Sequence, residues 1–226
     1  MDLSGTAVIT YAGVNDTAGG FTWTYNDGTK LVRGGANLAI GDTRSQFDGL
    51  SRNERVRYDT PKFAGFSVAG SVTNGEAYEL SGWYAGEFKG FGKLAAALGY
   101  VDTRDRETTR YKQLGGSVSW LNTPTGLNVT LSLGQRDPKV GSKAKNGYVK
   151  VGWKFAEIHA VSAEFGQTKD LDLNGDKSSN WGAGYVVTPW QGVELYAGLR
   201  SYSFEQSAGP NPKNVKQVMA GTRIKF

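Results

Sequence analysis

The sequence predicts an all-β fold in which about fourteen antiparallel strands close into a barrel, and three observations support this prediction. Apolar and polar residues alternate through successive segments, which gives each strand one apolar face and one polar face. Short turns alternate with longer polar loops between these segments. Glycine supplies 32 of 226 residues and aromatic residues 12%, a composition typical of many short strands joined by tight turns. No shift in composition marks a linker, so residues 1–226 are predicted to form a single domain.

Composition also excludes several classes of function. The chain has no cysteine, which excludes disulfides, thiolate metal sites and cysteine nucleophiles. Its one histidine, His159, excludes a zinc site with three histidine ligands. The net charge of +5 is spread along the chain without a basic run, so nucleic-acid binding is not expected. No apolar run approaches the roughly 18 residues of a spanning helix, and the first residues do not resemble a signal peptide.

The alternation is clearest in four segments, which are residues 127–136, 148–155, 193–200 and 218–226. The apolar faces of the last strands carry no charge over about ten residues, as lipid contact requires, because Arg or Lys at the bilayer centre costs about 2–4 kcal/mol. Aromatic residues collect near strand ends, where a membrane interface would lie: Phe88, Trp120, Phe155, Tyr185 and Phe226. A soluble sheet alternates equally well, but these two features favour a transmembrane antiparallel β-barrel.

The connections alternate in kind along the chain. Short connections are predicted at residues 26–28, 60–65, 88–92, 122–126, 155–158 and 188–192. Longer polar connections, such as "DTRDRET", "RDPKVGSKAKN", "TKDLDLNGDKSS" and "EQSAGPNPKN", lie between most of them. An even number of strands, with short turns at one rim and long loops at the other, is typical of bacterial outer-membrane barrels.

The stretch "SRNERVRYDTPKFAGFSVAGSV", residues 51–72, resembles the general porins of Gram-negative outer membranes. In that family an arginine-rich strand and a turn of this kind follow a loop that folds into the pore. The segments "VELYAGLRSYSF" and "VMAGTRIKF" resemble the last two strands of the family. The resemblance implies an outer-membrane location, a homotrimer, contacts with membrane lipid and lipopolysaccharide, and recognition of the terminal Phe226 by the barrel-assembly machinery.

Porins of this family have sixteen strands, with the inward loop between the fifth and the sixth. Residues 42–52 correspond to that loop, with about three strands before it and about eleven after it. The chain is therefore expected to lack one N-terminal hairpin of the family, through truncation, or else to form a smaller barrel.

Charged residues on the polar faces are the candidates for the lining of the pore. Arg55 and Arg57 share one face of the strand that follows the inward loop. Three further arginines lie on polar faces of other strands: Arg33, Arg200 and Arg223. The resemblance implies that such arginines face carboxylates on the inward loop, for which Asp42 and Asp48 are the candidates. The excess of arginine and the charge of +5 predict a weak preference for anions.

Two other motifs are candidate sites. Asp170, Asp172, Asn174 and Asp176 alternate around Gly175 as in the first half of a calcium loop, but Trp181 replaces the closing glutamate, which favours an ordinary solvated loop. His159 has no partner for catalysis, and four carboxylates on polar faces show no spacing of an acid/base pair: Glu79, Glu87, Glu164 and Glu194. No enzymatic activity and no cofactor are therefore expected.

The sequence as a whole predicts a water-filled channel that passes small hydrophilic solutes and ions by diffusion. One alternative is a selective channel in which four residues form a binding track for a sugar or an anion: Trp83, Tyr196, Arg200 and Arg223. The other alternative is a non-conducting structural barrel or a soluble sheet protein.

Overall fold

The computed structural model describes residues 6, 10, 12, 18–47, 49–50, 54–73, 77–104 and 110–225. These residues form thirteen strands and two short 3-10 turns, Ala18–Gly20 and Ile40–Thr43. The strands are β1 (Val32–Arg33), β2 (Ala36–Asn37), β3 (Arg55–Asp59), β4 (Phe66–Thr73), β5 (Tyr78–Phe88), β6 (Gly92–Asp102), β7 (Tyr111–Leu121), β8 (Leu127–Pro138), β9 (Ala144–Phe155), β10 (His159–Lys169), β11 (Lys177–Trp190), β12 (Val193–Glu205) and β13 (Val215–Ile224). Within the described ranges, no helix is both long and apolar enough to cross a membrane.

Strands β3 to β13 form one antiparallel sheet of eleven strands, in which each strand pairs with its neighbours in sequence. This agrees with the eleven strands predicted after the inward loop. The long strands are paired over nearly their whole length, as in β10 and β11, where pairing runs from His159↔Val187 to Lys169↔Lys177. Among the described residues, β3 and β13 each pair on one side only.

The predicted short turns lie together at one end of this sheet, here called the short-turn end. Five of the six connect consecutive strands from β3–β4 to β11–β12. Glycine is required in two of them, because a Cβ at Gly92 would lie 2.0 Å from the carbonyl oxygen of Leu121, and one at Gly126 would lie 2.1 Å from that of Lys154. The opposite end carries the longer connections and is called the long-loop end.

One face of the sheet is apolar and exposed. Large side chains on this apolar face include Leu98, Leu131, Leu133 and Val151, and all four are exposed. Aromatic rings gather on this face at the short-turn end, where Phe155 stacks on His159 at 5.4 Å between centroids and His159 stacks on Tyr185 at 5.9 Å. Apolar side chains bordered by such a ring belt are what a lipid bilayer requires.

The other face, the polar face, carries small hydroxyl and amide side chains, many of them buried: Ser117, Ser119, Asn128, Thr130, Ser132, Thr168, Ser178 and Asn180. Residues 18–47 and 49–50, here called the inward segment, lie against this face, where Thr43 contacts Ser178 and Ser45 contacts Thr168. Ser117 and Ser119 are instead in contact with Thr6. Side chains of the segment, among them Trp23, Leu38 and Ile40, pack with Tyr202 and Phe204 of β12 in the largest apolar cluster. The core of the protein thus lies between the segment and the sheet.

The prediction of about three strands before residue 42 was wrong for residues 18–41. In this range the only strands are β1 and β2, which pair with each other and not with the large sheet. The predicted turn at residues 26–28 therefore lies within the inward segment and not at the short-turn end. The physical reason is that Trp23, Leu31, Leu38 and Ile40 are buried against β12, which a strand of the sheet with one lipid-facing side would not allow.

Candidate pore-lining site

The inward segment is held on the polar face by aromatic packing at its first contact with β12. The ring of Trp23 is fully buried and stacks on Phe204 with 5.5 Å between centroids. The indole Nε1 donates a hydrogen bond of 3.1 Å to Oγ1 of Thr43, whose hydroxyl lies 3.3 Å from that of Ser178 on β11. One buried tryptophan therefore joins two parts of the segment and, through Thr43, reaches the sheet.

A second contact holds the segment over the middle of the sheet. Phe47 is buried and packs against Ala144 of β9. A Cβ at Gly134 would lie 2.9 Å from the Phe47 ring, so glycine leaves the space that this ring occupies. The guanidinium of Arg136 lies 5.2 Å from the centre of the same ring, a cation–π distance.

The end of the segment is fixed by the predicted lining residue Arg55. Its Nη1 donates to Oε2 of the buried Glu79 at 2.6 Å, and its Nη2 donates to the backbone oxygen of Leu50 at 3.1 Å. The other carboxylate oxygen of Glu79 accepts a hydrogen bond from the Leu50 amide. Arg55 is thus an anchor of the inward segment.

Arg57 lies two residues further along the same face of β3. It forms a two-pronged ion pair with Asp59, at 2.8 Å from Nε and 2.6 Å from Nη2, and lies 5.7 Å from the ring centre of Trp83. The carboxylates that bind Arg55 and Arg57 therefore come from the sheet itself.

Asp42 lies on the inward segment with an exposed side chain, and its carboxylate accepts a hydrogen bond from the Ala39 amide at 2.9 Å. Asp48 lies outside the described residues.

Arg33 tethers the tip of the inward segment to the loops of the long-loop end. Its Nη1 binds the carboxylates of Asp172 and Asp176, and its Nη2 donates to Oε1 of Gln206 at 3.0 Å. The guanidinium also lies 5.3 Å from the ring centre of Phe204. Arg33 is therefore not a free lining cation, because two loops and an aromatic ring enclose it.

Burial disfavours the charged forms of Arg33 and Asp176, but the hydrogen bonds that each group makes outweigh this effect on its pKa. The bonds to Asp176 and Asp172 hold the pKa of Arg33 above its ordinary value. The bonds from Arg33 and Ser207 hold the pKa of Asp176 below its ordinary value. Both groups are therefore charged at neutral pH.

The carboxylates of the calcium-like motif have partners within the protein. Asp172 and Asp176 bind a guanidinium, and Asp170 accepts a hydrogen bond of 2.7 Å from the amide of Gly175. In the part of the chain that the structure describes, no three acidic or histidine side chains are grouped as metal ligands. The alternation of the motif is real, but the cation that it binds is Arg33.

We expect calcium to leave the protein unchanged, because Arg33 already neutralises the loop. A calcium titration of the detergent-solubilised protein up to about 1 mM, the affinity range of weak extracellular sites, should not shift its melting temperature. A saturable rise in melting temperature that Asp172→Asn abolishes would contradict this interpretation of the loop.

Arg200 forms a charged group at mid-height on the polar face. Its Nε donates to Oε1 of Glu164, and Oε2 of Glu164 accepts a hydrogen bond of 2.8 Å from the Tyr148 hydroxyl. The buried Lys150 is also close enough to Glu164 to interact with its charge. Glycine at position 182, between the two strands, allows this contact, since a Cβ there would lie 2.8 Å from Cγ of Arg200.

Arg223 forms a similar group near the short-turn end. Its Nη1 donates to Oε2 of Glu194 at 2.8 Å, and Nζ of Lys225 binds the other oxygen of the same carboxylate. The guanidinium lies 5.5 Å from the ring centre of Tyr196. The predicted lining arginines are thus spread from the long-loop end to the short-turn end, and the structure does not gather them into one ring.

The comparisons with known proteins agree with this arrangement. The family model described as Gram-negative porin matches residues 2–207 of the chain. The chain belongs to the Gram-negative porin family. Its location is therefore the bacterial outer membrane, and its fold class is the β-barrel of porins, as predicted. A search of curated protein sequences found no significant match.

A solved structure of a porin shares the fold of this chain. An anion-selective porin from Comamonas acidovorans is 17% identical, with a TM-score of 0.55, over 76% of this chain and 59% of that one. A loop L8 deletion mutant of OmpT, an outer membrane protein of Vibrio cholerae, is 12% identical, with a TM-score of 0.49, over 75% of this chain and 62% of that one. The chain therefore spans about three fifths of the length of these two structures.

Several residues of this porin's polar face were not singled out by their sequence pattern. Trp83 was predicted only as part of the alternative binding track, and Asp59, Tyr148 and Lys150 were not predicted as site residues. Strand parity could have found them, because each alternates onto the same face as a predicted arginine or its neighbour. The positions of Gly134 and Gly182 opposite large side chains could not be found in this way, because they depend on cross-strand register and on the path of the inward segment.

Proposed function

We propose that this porin forms a water-filled channel that passes small hydrophilic solutes and ions by diffusion, with a weak preference for anions. The polar face of the large sheet and the inward segment would line the passage. Basic residues outnumber acidic ones on the polar faces of β3–β13: Arg55, Arg57, Lys93, Arg136, Lys150, Lys154, Arg200 and Arg223 against Asp59, Glu79, Glu87, Glu164 and Glu194. A passage with such an excess of positive charge concentrates anions.

The observation that carries the proposal is that two cations share one carboxylate at two levels of the polar face. Arg200 and Lys150 both interact with Glu164, and Arg223 and Lys225 both bind Glu194. Each group therefore holds two basic side chains and one acidic side chain. In contrast, Arg55 and Arg57 are each matched by one carboxylate and contribute little net charge.

The selectivity of the pore tests this proposal. In planar bilayers under a gradient of potassium chloride, the reversal potential of the native protein should have the sign of a weakly anion-selective pore. Glu164→Gln should increase the anion preference, because it leaves Arg200 and Lys150 without a counter-charge. Arg200→Gln should reduce it, because one cation then remains for one carboxylate.

Lys216→Gln provides a matched control, since it removes an exposed cation from the apolar face of β13 and should leave the reversal potential unchanged. Clear cation selectivity of the native protein would contradict the proposal. The proposal would also be contradicted if Glu164→Gln and Arg200→Gln shifted the reversal potential in the same direction.

The same proposal gives the protein no catalytic role. His159 is engaged on the apolar face, where its Nδ1 lies 2.7 Å from the Tyr185 hydroxyl among stacked rings. The carboxylates of the polar face are each paired with a cation, as Glu79 with Arg55, and such pairs are suited to setting a field. Assembly into a homotrimer and recognition by the barrel-assembly machinery are part of the proposal through family membership; Phe226 lies outside the described residues.

A further inference from the structure

Trp83 of β5 is a half-buried tryptophan on the polar face. In three other tryptophans the indole Nε1 donates to an acceptor of the protein: Trp23, Trp120 and Trp153. Among the described residues, Nε1 of Trp83 has no such acceptor, and the ring has one charged neighbour, the guanidinium of Arg57 at 5.7 Å from its centre. Tryptophan N–H groups that leave water usually find a partner. This N–H is therefore free to bond a solute on the polar face.

Small side chains flank the ring, which leaves it uncovered by the neighbouring strands. The register places Ser67 of β4 and Ala97 of β6 directly opposite Trp83. The inward segment ends at Leu50, which packs with Val101, four residues along β6 from Ala97 toward the long-loop end. Four residues of a strand span about 13 Å. The ring thus lies on the short-turn side of the inward segment.

A planar ion pair stands beside the ring. Nε and Nη2 of Arg57 donate to the two carboxylate oxygens of Asp59 at 2.8 and 2.6 Å, and the two side chains are 38% and 55% exposed. Within the described part of the chain, Nη1 of Arg57 forms no hydrogen bond, and each oxygen of Asp59 can accept a further one. The pair therefore offers both donors and acceptors to a solute.

Charge balance and shape identify the class of solute. A free anion or cation would gain little here, because Arg57 and Asp59 already neutralise each other, as do Arg55 and Glu79 nearby. The indole offers an apolar surface, and the planar pair beside it offers hydrogen bonds in both directions. A pyranose sugar matches both, because its C–H groups form an apolar face and its hydroxyl groups, around the ring edge, donate as well as accept.

We propose that Trp83 and the Arg57–Asp59 pair form a subsite for a neutral pyranose sugar that passes through the pore. The sugar ring lies against the exposed part of the indole, and two neighbouring hydroxyl groups bond to Nη1 of Arg57 and to the carboxylate of Asp59. The hydroxyl of Ser67, which has no hydrogen-bond partner among the described residues, lies on the adjoining strand and provides a third contact. The inference rests on the proposed channel function, because the solute reaches the polar face through the passage.

The measurement is the block of single-channel current by added solutes in potassium chloride. D-glucose should block half of the current at a concentration on the order of 10 mM, as expected for a ligand of so few atoms. Sorbitol has six carbons and six hydroxyl groups but no ring, so it should need a concentration about fivefold higher. Glucose 6-phosphate should block the native channel no better than glucose, because the subsite has no unmatched cation.

Three variants separate the ring from the ion pair. Trp83→Ala should raise the half-blocking concentration of glucose about tenfold, and Trp83→Phe, which keeps a ring, should raise it less. Asp59→Asn leaves Arg57 without a counter-charge, so glucose 6-phosphate should become the better blocker. Trp181→Ala is the matched control, because it removes a tryptophan that is 53% exposed on the apolar face, and it should block as the native channel does.

The channel and the subsite fail in different ways. Absence of current in potassium chloride alone would contradict the channel function. Calorimetric binding of the same three solutes to the detergent-solubilised protein and its variants then gives the same comparison without conduction. Three results would overturn the subsite: equal effects of glucose and sorbitol, a glucose effect that Trp83→Ala leaves unchanged, or a stronger effect of glucose 6-phosphate than of glucose on the native protein.

Discussion

Replacing Trp23 with alanine should release the inward segment from β12 and widen the passage. The indole is fully buried, stacks on Phe204 and donates its hydrogen bond to Thr43. Truncation of a buried aromatic side chain costs about 3–5 kcal/mol. This cost falls on the packing of the segment and not on the backbone pairing of the eleven-stranded sheet, so the sheet should remain folded.

The measurement is single-channel conductance, which should rise, together with limited proteolysis, which should cut Trp23→Ala within the inward segment under conditions in which the native segment resists. Phe21→Ala is the matched control, because that ring lies two residues away in the same segment and is 53% exposed. Unchanged conductance and unchanged protection in Trp23→Ala would show that the other anchors, at Phe47 and Leu50, are sufficient to hold the segment.

Breaking the tether between Arg33 and Asp176 should loosen the tip of the inward segment. The Asp176 side chain is only 3% exposed, and its carboxylate binds Arg33 and the Ser207 amide. A hydrogen bond to a charged group contributes about 1.5–3 kcal/mol. Asp176→Asn should therefore destabilise, by about this amount, the arrangement in which the inward segment lies on the polar face. This should appear as more frequent opening steps in single-channel recordings.

The same tether should respond to acid. The pKa of Asp176 is depressed in the folded protein, so its contribution to stability is complete above the unfolded value of about 4 and declines as the pH falls through the lower folded value. The hydrogen bonds from Arg33 and Ser207 lower this pKa, and Arg33 keeps its charge throughout. Opening steps in the native channel should therefore increase below about pH 4 and remain constant between pH 5 and pH 8.

Asp176→Asn should remove most of this acid response, since the titrating group is gone. Asp137→Asn is the control, because Asp137 forms an exposed ion pair with Lys143 at 2.9 Å near the same long-loop end, and such exposed pairs contribute about 0–1 kcal/mol. If the native channel and Asp176→Asn opened to the same extent at every pH, the tether would have no part in holding the segment.

For Arg55 and Arg57, the sequence predicts the face of the strand on which each side chain lies but not the partner that it binds. The alternation of Arg55 with Val56 and Arg57 with Tyr58 is enough to place both arginines on the polar face, and the structure agrees. Their partners, Glu79 and Asp59, were not predicted as such. Glu79 is twenty-four residues from Arg55, and only the pairing of β3 with β4 and of β4 with β5 brings it within 2.6 Å.

The calcium motif also shows that a local sequence pattern does not reveal a partner that is distant along the chain. Two carboxylates of this spacing, Asp172 and Asp176, do bind a cation. The cation is the guanidinium of Arg33, which lies 139 residues from Asp172 along the chain, and no local pattern contains it.

By itself, the sequence determined the strands of the large sheet, their faces and the end of the sheet at which the turns between them lie. These features follow from a two-residue period and from turn chemistry, both of which act between near neighbours in the chain. Only the tertiary structure decided that residues 18–50 leave the sheet and cover its polar face. That placement depends on cavities opposite glycines, on buried rings such as Trp23 and Phe204, and on ion pairs between distant segments, all of which exist only once the strands are in register.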